Sequence, residues 1–114
     1  VTSVPTPVDE LQEVFKALAD PTRLAVVERL TVGAASTSEL AAPFAMALPS
    51  FIQHLEVLER CGVVRSAKHG RVRTYQLSPA PLERATDWLA AQRQHWERRL
   101  DQLDTHLQTM KDTP

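Results

Sequence analysis

The residues best suited to chemistry lie in one run, Val63-Val64-Arg65-Ser66-Ala67-Lys68-His69-Gly70-Arg71-Val72-Arg73-Thr74-Tyr75-Gln76-Leu77, which carries four cations and no carboxylate. Its alternating apolar positions suit a hairpin, and it directly follows a short amphipathic two-helix stretch that begins at Ser36. A cationic β-ribbon beside an exposed helix is a device for gripping a polyanion while the helix reads a groove. These residues therefore predict double-stranded DNA as the partner.

The formal net charge of the whole chain is only -1, but the charge is unevenly spread. Residues 48–77 hold five cations (Arg60, Arg65, Lys68, Arg71 and Arg73) against two carboxylates, Glu56 and Glu59, while both flanks are net acidic. Screening confines each charge to about 10 Å, so the local excess is what a phosphate backbone meets. Enzyme classes find no support. The three glycines form no phosphate loop, no HExxH run or nucleophile elbow is present, and paired carboxylates occur only at surface helical spacing.

At 114 residues, with 43% hydrophobic and 24% charged residues, the chain reads as one ordinary globular domain. It has no apolar run of the roughly 20 residues that cross a bilayer, and its first residues lack the basic-then-apolar profile of a signal peptide. Cys61 is the single cysteine and has no partner for an internal disulfide, so a reducing cytoplasm is expected, with no membrane association.

Periodicity supplies the elements. Residues 1–7, with two prolines and no charge, read as a flexible tail before a domain spanning 8–110, and residues 111–114 as a second tail. Leu11, Val14, Phe15 and Leu18 predict a helix ending near Ala19. Asp20-Pro21 restarts a second helix, lined by Leu24, Val26, Val27 and Leu30 and ended by Gly33. Ser36 and Glu39 have capping-box spacing for a short helix, with Thr37 or Ser38 as alternative caps, and Pro43 closes it. A further helix runs from Leu48-Pro49 to Arg60 with Ile52, Leu55 and Leu58 inward, and Gly62 follows as its C-cap.

Val64 and Ala67, then Val72, Tyr75 and Leu77, predict two strands joined at His69-Gly70. A last helix over about 81–110 carries Leu82, Ala85, Leu89, Trp96, Leu100, Leu103, Leu107 and Met110 at steps of three, four or seven. At roughly 45 Å it exceeds what so small a chain can cover alone, so its surplus stripe predicts a second copy. The predicted fold is mainly α with a small β-hairpin, a winged helix-turn-helix, dimeric through its last helix and, as the resemblance described next implies, its first.

Three motifs then carry a resemblance. Phe15-Lys16-Ala17-Leu18-Ala19-Asp20-Pro21-Thr22-Arg23-Leu24, then Gln53-His54-Leu55-Glu56-Val57-Leu58, then Gly62-Val63-Val64 with Gly70-Arg71-Val72-Arg73-Thr74-Tyr75-Gln76-Leu77 are similar to the ArsR family, over roughly residues 11–110. Members are small dimeric bacterial repressors, many of them metal sensors. The resemblance implies a homodimeric repressor on an inverted-repeat operator. It implies that the helix from Leu48 is the recognition helix, with Ser50, Phe51, Gln53 and His54 near the major groove. Gln53 is then the expected base reader, because a side-chain amide makes a paired contact with adenine. Lys68, His69, Arg71 and Arg73 are expected on the wing, and Leu11, Phe15, Leu82, Leu89, Trp96, Leu100 and Leu103 at the dimer interface. Ile52 departs from the serine common in relatives, which leaves it to the core or to a thymine methyl.

The same comparison argues against a metal or other cofactor. Where metal-sensing relatives place a Cys-x-Cys pair, this chain has Ser36 and Ser38, which offer no thiolate. On the last helix His95 and His106 keep a ten-residue gap, but Arg93 and Thr109 replace the expected acidic ligands, and the two histidines stand about 16 Å apart along one helix. Cys61 has no resolving thiol and is expected to be a packed, inert group rather than a redox sensor. Trp88 and Trp96 fit an interface core better than a small-molecule pocket, although an unidentified small-molecule inducer is a possible partner. The rival readings are a ligand-responsive sensor of the same fold and a protein-interaction module that uses the last helix.

Overall fold

In a computed structural model, which describes residues 6–112, eight elements follow one another: α1 (Pro7–Leu18), α2 (Pro21–Leu30), β1 (Ala35–Ser36), α3 (Thr37–Ala41), α4 (Leu48–Arg60), β2 (Val64–His69), β3 (Val72–Leu77) and α5 (Pro79–Asp112). The expected tails at 1–5 and 113–114 lie outside the described residues. Thr6 and Pro7, expected in the tail, instead start α1. Thr6 caps it, its hydroxyl accepting from the Asp9 amide while the Asp9 carboxylate accepts from the Thr6 amide. A capping box satisfies two amides that a helix start leaves open, and proline suits the first turn. α5 likewise outruns the expected 81–110, because Lys111 and Asp112 are still helical.

The core sits where α1, α2, α3 and α4 meet the sheet. Val26, Phe51, Leu55, Leu58, Val63 and Val64 are fully enclosed, with Val14, Leu30, Leu40 and Tyr75 beside them. On α4 the buried face is Phe51, Leu55 and Leu58, a face turned from the expected Ile52, Leu55 and Leu58. Phe51 fills the centre and packs on Phe44 in the preceding turn, ring centroids 5.3 Å apart, while Ile52 is only half-buried. Truncating a buried phenylalanine of this kind costs about 3–5 kcal/mol. On α2, Val26 and Leu30 are buried but Leu24 is exposed.

The sheet has three antiparallel strands in the order β1-β3-β2. β2 and β3 form the hairpin, from Val64 opposite Leu77 at its base to His69 opposite Val72 at its tip. The turn is Gly70-Arg71 rather than the expected His69-Gly70, because His69 is still paired with Val72 as the last residue of β2. Gly70 has φ +63° and Arg71 a negative φ, the arrangement that asks for glycine at the first loop position. The sequence gives little sign of the two-residue β1, which pairs Ala35 with Tyr75 and Ser36 with Thr74. The hairpin base is buried through Val64 and Tyr75, whereas Ala67 and Val72 near the tip are exposed, so the wing projects from the body.

The start of α5 packs on α1, with Pro81 and Ala85 buried and Leu82 against the core, and Trp88 meets Phe15 edge-on at 5.8 Å. From Gln92 onward every described residue of α5 is exposed, and the long helix stretches the molecule to 78 Å. Leu82, Leu89, Trp96, Leu103 and Met110 recur every seven residues along it, with Leu100 and Leu107 between them at the second apolar position of a heptad. Among the described residues no helix is long and apolar enough to cross a membrane.

Candidate nucleic-acid interface

The turn between α3 and α4 is built from local signals. Ser36 caps α3, its hydroxyl accepting from the Glu39 amide at 3.2 Å while Glu39 accepts from the Ser36 amide at 3.1 Å. Of the three candidate caps, Ser36 is thus the one used. α4 then opens on Ala47, which has no side-chain acceptor, with Pro49 in its first turn.

The buried side of α4 decides what it presents outward. With Phe51, Leu55 and Leu58 inside, the residues at 100° steps that point away are Pro49, Gln53, Glu56 and Arg60, and all four are exposed. Gln53, the expected base reader, stands at the middle of that ridge, and Ser50 is exposed on its flank. Phe51 was expected near the groove and is instead 0% exposed. Its ring belongs to the core, and the expectation is corrected on that ground.

His54, expected near the groove, also makes contacts within the fold. Its side chain is about a quarter exposed, with Nδ1 3.0 Å from the Arg23 guanidinium and 3.7 Å from Asp20 Oδ2. Because arginine only donates, Nδ1 accepts. Arg23 also donates Nε to the Ala17 carbonyl at 2.6 Å and a terminal nitrogen to the Lys16 carbonyl at 3.4 Å. Asp20 caps α2 by accepting from the Arg23 amide at 3.0 Å. That hydrogen bond holds its carboxyl below the ordinary 3.8; burial opposes it, and the Arg23 charge supports it. The cluster ties α4 to the corner between α1 and α2.

The wing places Lys68, His69, Arg71 and Arg73 on exposed positions around the tip. Arg73 is not free-standing. It donates to Ser66 Oγ at 2.9 Å, and Ser66 in turn donates to the Glu59 carboxylate at 2.7 Å. The relay runs from the strand β3 through β2 to the end of α4, so it fixes the wing against that helix. The clearest signal for it in the sequence was the chemistry of the three residue types, because each step spans seven positions and none follows from helical or strand spacing. Arg60 and Glu56 were missed for a simpler reason: the ridge could be drawn only once the buried face was correct.

The remaining candidates lie elsewhere. Leu11, Phe15 and Leu82 are half-buried against the chain's own core, whereas Leu89, Trp96, Leu100 and Leu103 are exposed. Arg98 lies against the Gln94 carbonyl and His95, and an ion pair on this part of α5 joins Arg93 to Glu97 at 3.9 Å. Cys61 is half-buried with its thiol donating to the Leu58 carbonyl at 3.3 Å. Beside it, Asp9, Glu10, Glu13, Arg60, Gly62 and Arg84 line an open groove of about 570 Å³. His95 and His106 are both exposed, and among the described residues no three His, Cys, Asp or Glu side chains gather as a metal site.

Residues 18–67 match a family described as a helix-turn-helix domain. The chain is 43% identical over 68 residues to an HTH-type transcriptional regulator of Mycobacterium tuberculosis, a match covering 60% of this chain and 64% of that relative, so it spans a little under two thirds of the relative's length. It is 29% identical over 79 residues to the transcriptional repressor SdpR of Bacillus subtilis, covering 69% of this chain and 88% of the repressor. Among solved structures, it is similar to an ArsR family transcriptional regulator at 51% identity, with 77% of this chain and 97% of that one covered and a TM-score of 0.75. It is also similar, at 25% identity and a TM-score of 0.61, to a homodimeric winged helix-turn-helix domain from Mycobacterium bovis, covering 80% of this chain and 85% of that one.

Proposed function

The chain belongs to the ArsR family of transcriptional regulators, and we propose that it works as a homodimeric repressor that holds an inverted-repeat operator. The observation that carries this reading is the exposed ridge of α4, with Gln53 at its centre, beside a wing whose tip bears Lys68, His69, Arg71 and Arg73 and no carboxylate. In this reading α4 enters the major groove, Ser50 and Gln53 meet base edges, and the wing cations meet phosphates. His54 holds α4 in place through Arg23 and is not itself a reader.

Dimerisation is supported by the uncovered apolar stripe of α5 and by the homodimeric neighbour from Mycobacterium bovis. Two α4 helices related by a two-fold axis reach successive major grooves about 34 Å apart. Repression is supported by the Bacillus subtilis relative, which is named a repressor, and follows if the bound dimer blocks polymerase. A DNA regulator works in the cytoplasm, which is where we place it. For a small-molecule inducer, the groove beside Cys61 joins α1 and α5 to the end of α4, and a thermal-shift screen of the purified protein tests it.

The deciding experiment is a mobility shift with genomic duplex fragments, followed by footprinting of those retained. The expected footprint is two protected half-sites one helical turn apart. Failure to retard any duplex in dilute buffer would overturn the reading and favour a protein-interaction module.

A further inference from the structure

On the reading that α4 enters the major groove, we propose that Glu56 is a second base-reading residue, accepting a hydrogen bond from the exocyclic amine of a cytosine next to the adenine read by Gln53. Placement comes first. Glu56 follows Gln53 by three residues on the outward ridge of α4, and both side chains are exposed. Three residues advance about 4.5 Å along a helix, close to the spacing of neighbouring base pairs, about 3.4 Å. The two side chains therefore face adjacent steps of the groove.

Availability comes second. Glu39 closes the capping box of α3, and Glu59 receives the Ser66 hydroxyl. Glu56 makes no hydrogen bond or ion pair among the described residues, and the Arg60 guanidinium one turn on lies beyond ion-pair distance. Of the two carboxylates between Leu40 and Leu82 it is the one without a hydrogen bond or ion pair, and its neighbours on the outward ridge are Gln53 and Arg60.

Chemistry then fixes the base. A carboxylate only accepts, so between two phosphate backbones its charge is unfavourable unless a donor meets it. Guanine offers acceptors at O6 and N7 and thymine an acceptor at O4, so both are repelled. Cytosine offers its N4 amine. Adenine offers N6, but its N7 acceptor stands beside that amine and opposes the second carboxylate oxygen. Glu56 thus selects cytosine by attraction and rejects the other bases by repulsion, which is how one carboxylate gives specificity at a cost in affinity.

The test is a selection from random duplexes with the full chain, comparing wild type, Glu56→Ala, Glu56→Gln and Gln53→Ala, each checked for an unchanged thermal midpoint. The wild type is expected to enrich a cytosine beside the position that Gln53→Ala relaxes. Glu56→Ala should lower that preference by about tenfold and leave the Gln53 position intact. Glu56→Gln, which presents an amide, should shift the preference toward adenine. A wild-type consensus that Glu56→Ala leaves unchanged overturns the role of Glu56 alone, as does tighter binding of that variant to every sequence equally. A wild type that enriches no sequence overturns the reading of α4 together with this one.

Discussion

His54 Nδ1 and the Arg23 guanidinium meet at 3.0 Å across 31 positions of the chain, and through this contact the outward helix α4 is held to the first two helices. Arg23 also satisfies the Ala17 and Lys16 carbonyls where α1 ends, so one side chain joins three elements. Arg23→Ala takes the donor from the Ala17 carbonyl in a half-buried place and removes the tie to His54, whereas the Lys16 carbonyl keeps the Ala19 amide; it is expected to lower stability by about 1–3 kcal/mol. Arg23→Lys keeps the charge but not the forked geometry and should recover only part of that loss. Urea unfolding of the three proteins reads this directly. A midpoint for Arg23→Ala equal to that of the wild type would mean the contact carries no stability.

Asp20 makes the same corner sensitive to acid. Its carboxyl is held below the ordinary 3.8 mainly by the Arg23 amide, and Glu39 is lowered from 4.5 mainly by the Ser36 amide. A group whose pKa is lower in the folded state stabilises the fold above its ordinary value, and that contribution is lost as pH falls through the folded value. The urea midpoint should therefore stay level near neutrality and decline once pH drops below about 4. Asp20→Asn keeps an oxygen that caps α2 but removes the titration, so its decline should be shallower. Parallel curves for the two proteins would count against Asp20 as a source of the acid sensitivity.

Features set by neighbouring residues were the ones legible in the sequence. Ser36 with Glu39, Asp20 with Pro21, and Gly70 in the hairpin turn are each decided within a few positions, and each appears where expected. The box at Thr6 was passed over because two nearby prolines suggested a tail, although Asp9 stands at the reciprocal position. β1 is two residues long and exists only because β3 arrives to pair with it, Tyr75 with Ala35 and Thr74 with Ser36. The face of α4 was misjudged because Phe51 and Ile52 are both apolar and adjacent. Only the aromatic pocket beside Phe44 chooses between them. The contact of His54 with Arg23 was not legible for the same kind of reason, since the two are remote in sequence.

On the wing, Arg71 and Arg73 should behave differently when neutralised. Arg71 sits in the turn with no partner in the fold among the described residues, whereas Arg73 is anchored by Ser66 and Glu59. Arg71→Ala is expected to flatten the dependence of log affinity on log salt by about 0.9, one phosphate contact. Arg73→Ala should flatten it similarly and also loosen the wing, so that its affinity at any one salt falls further. Arg73→Lys restores the charge without the fork and should return the slope while recovering only part of the affinity. Binding isotherms at four salt concentrations separate the cases. Unchanged slopes for both alanine variants would take the wing out of the DNA interface.

Trp96, Leu100, Leu103, Leu107 and Met110 form a stripe on α5 that is 44–62% exposed. Spacing of three and four residues suits a seam against an identical helix, where knobs of one chain enter holes of the other. A carboxylate placed in such a seam must be desolvated against its symmetry mate, which costs several kcal/mol. Leu103→Glu should therefore raise the dimer dissociation constant by about a hundredfold or more, observed as a monomer by sedimentation at micromolar concentration. The wing and α4 are distant from Leu103, so affinity for a single half-site should hold while affinity for the two-half-site duplex falls toward it. A Leu103→Glu protein that sediments as the wild type and binds the full site equally well would place the dimer contact away from the end of α5, and leave the stripe without the partner assigned to it.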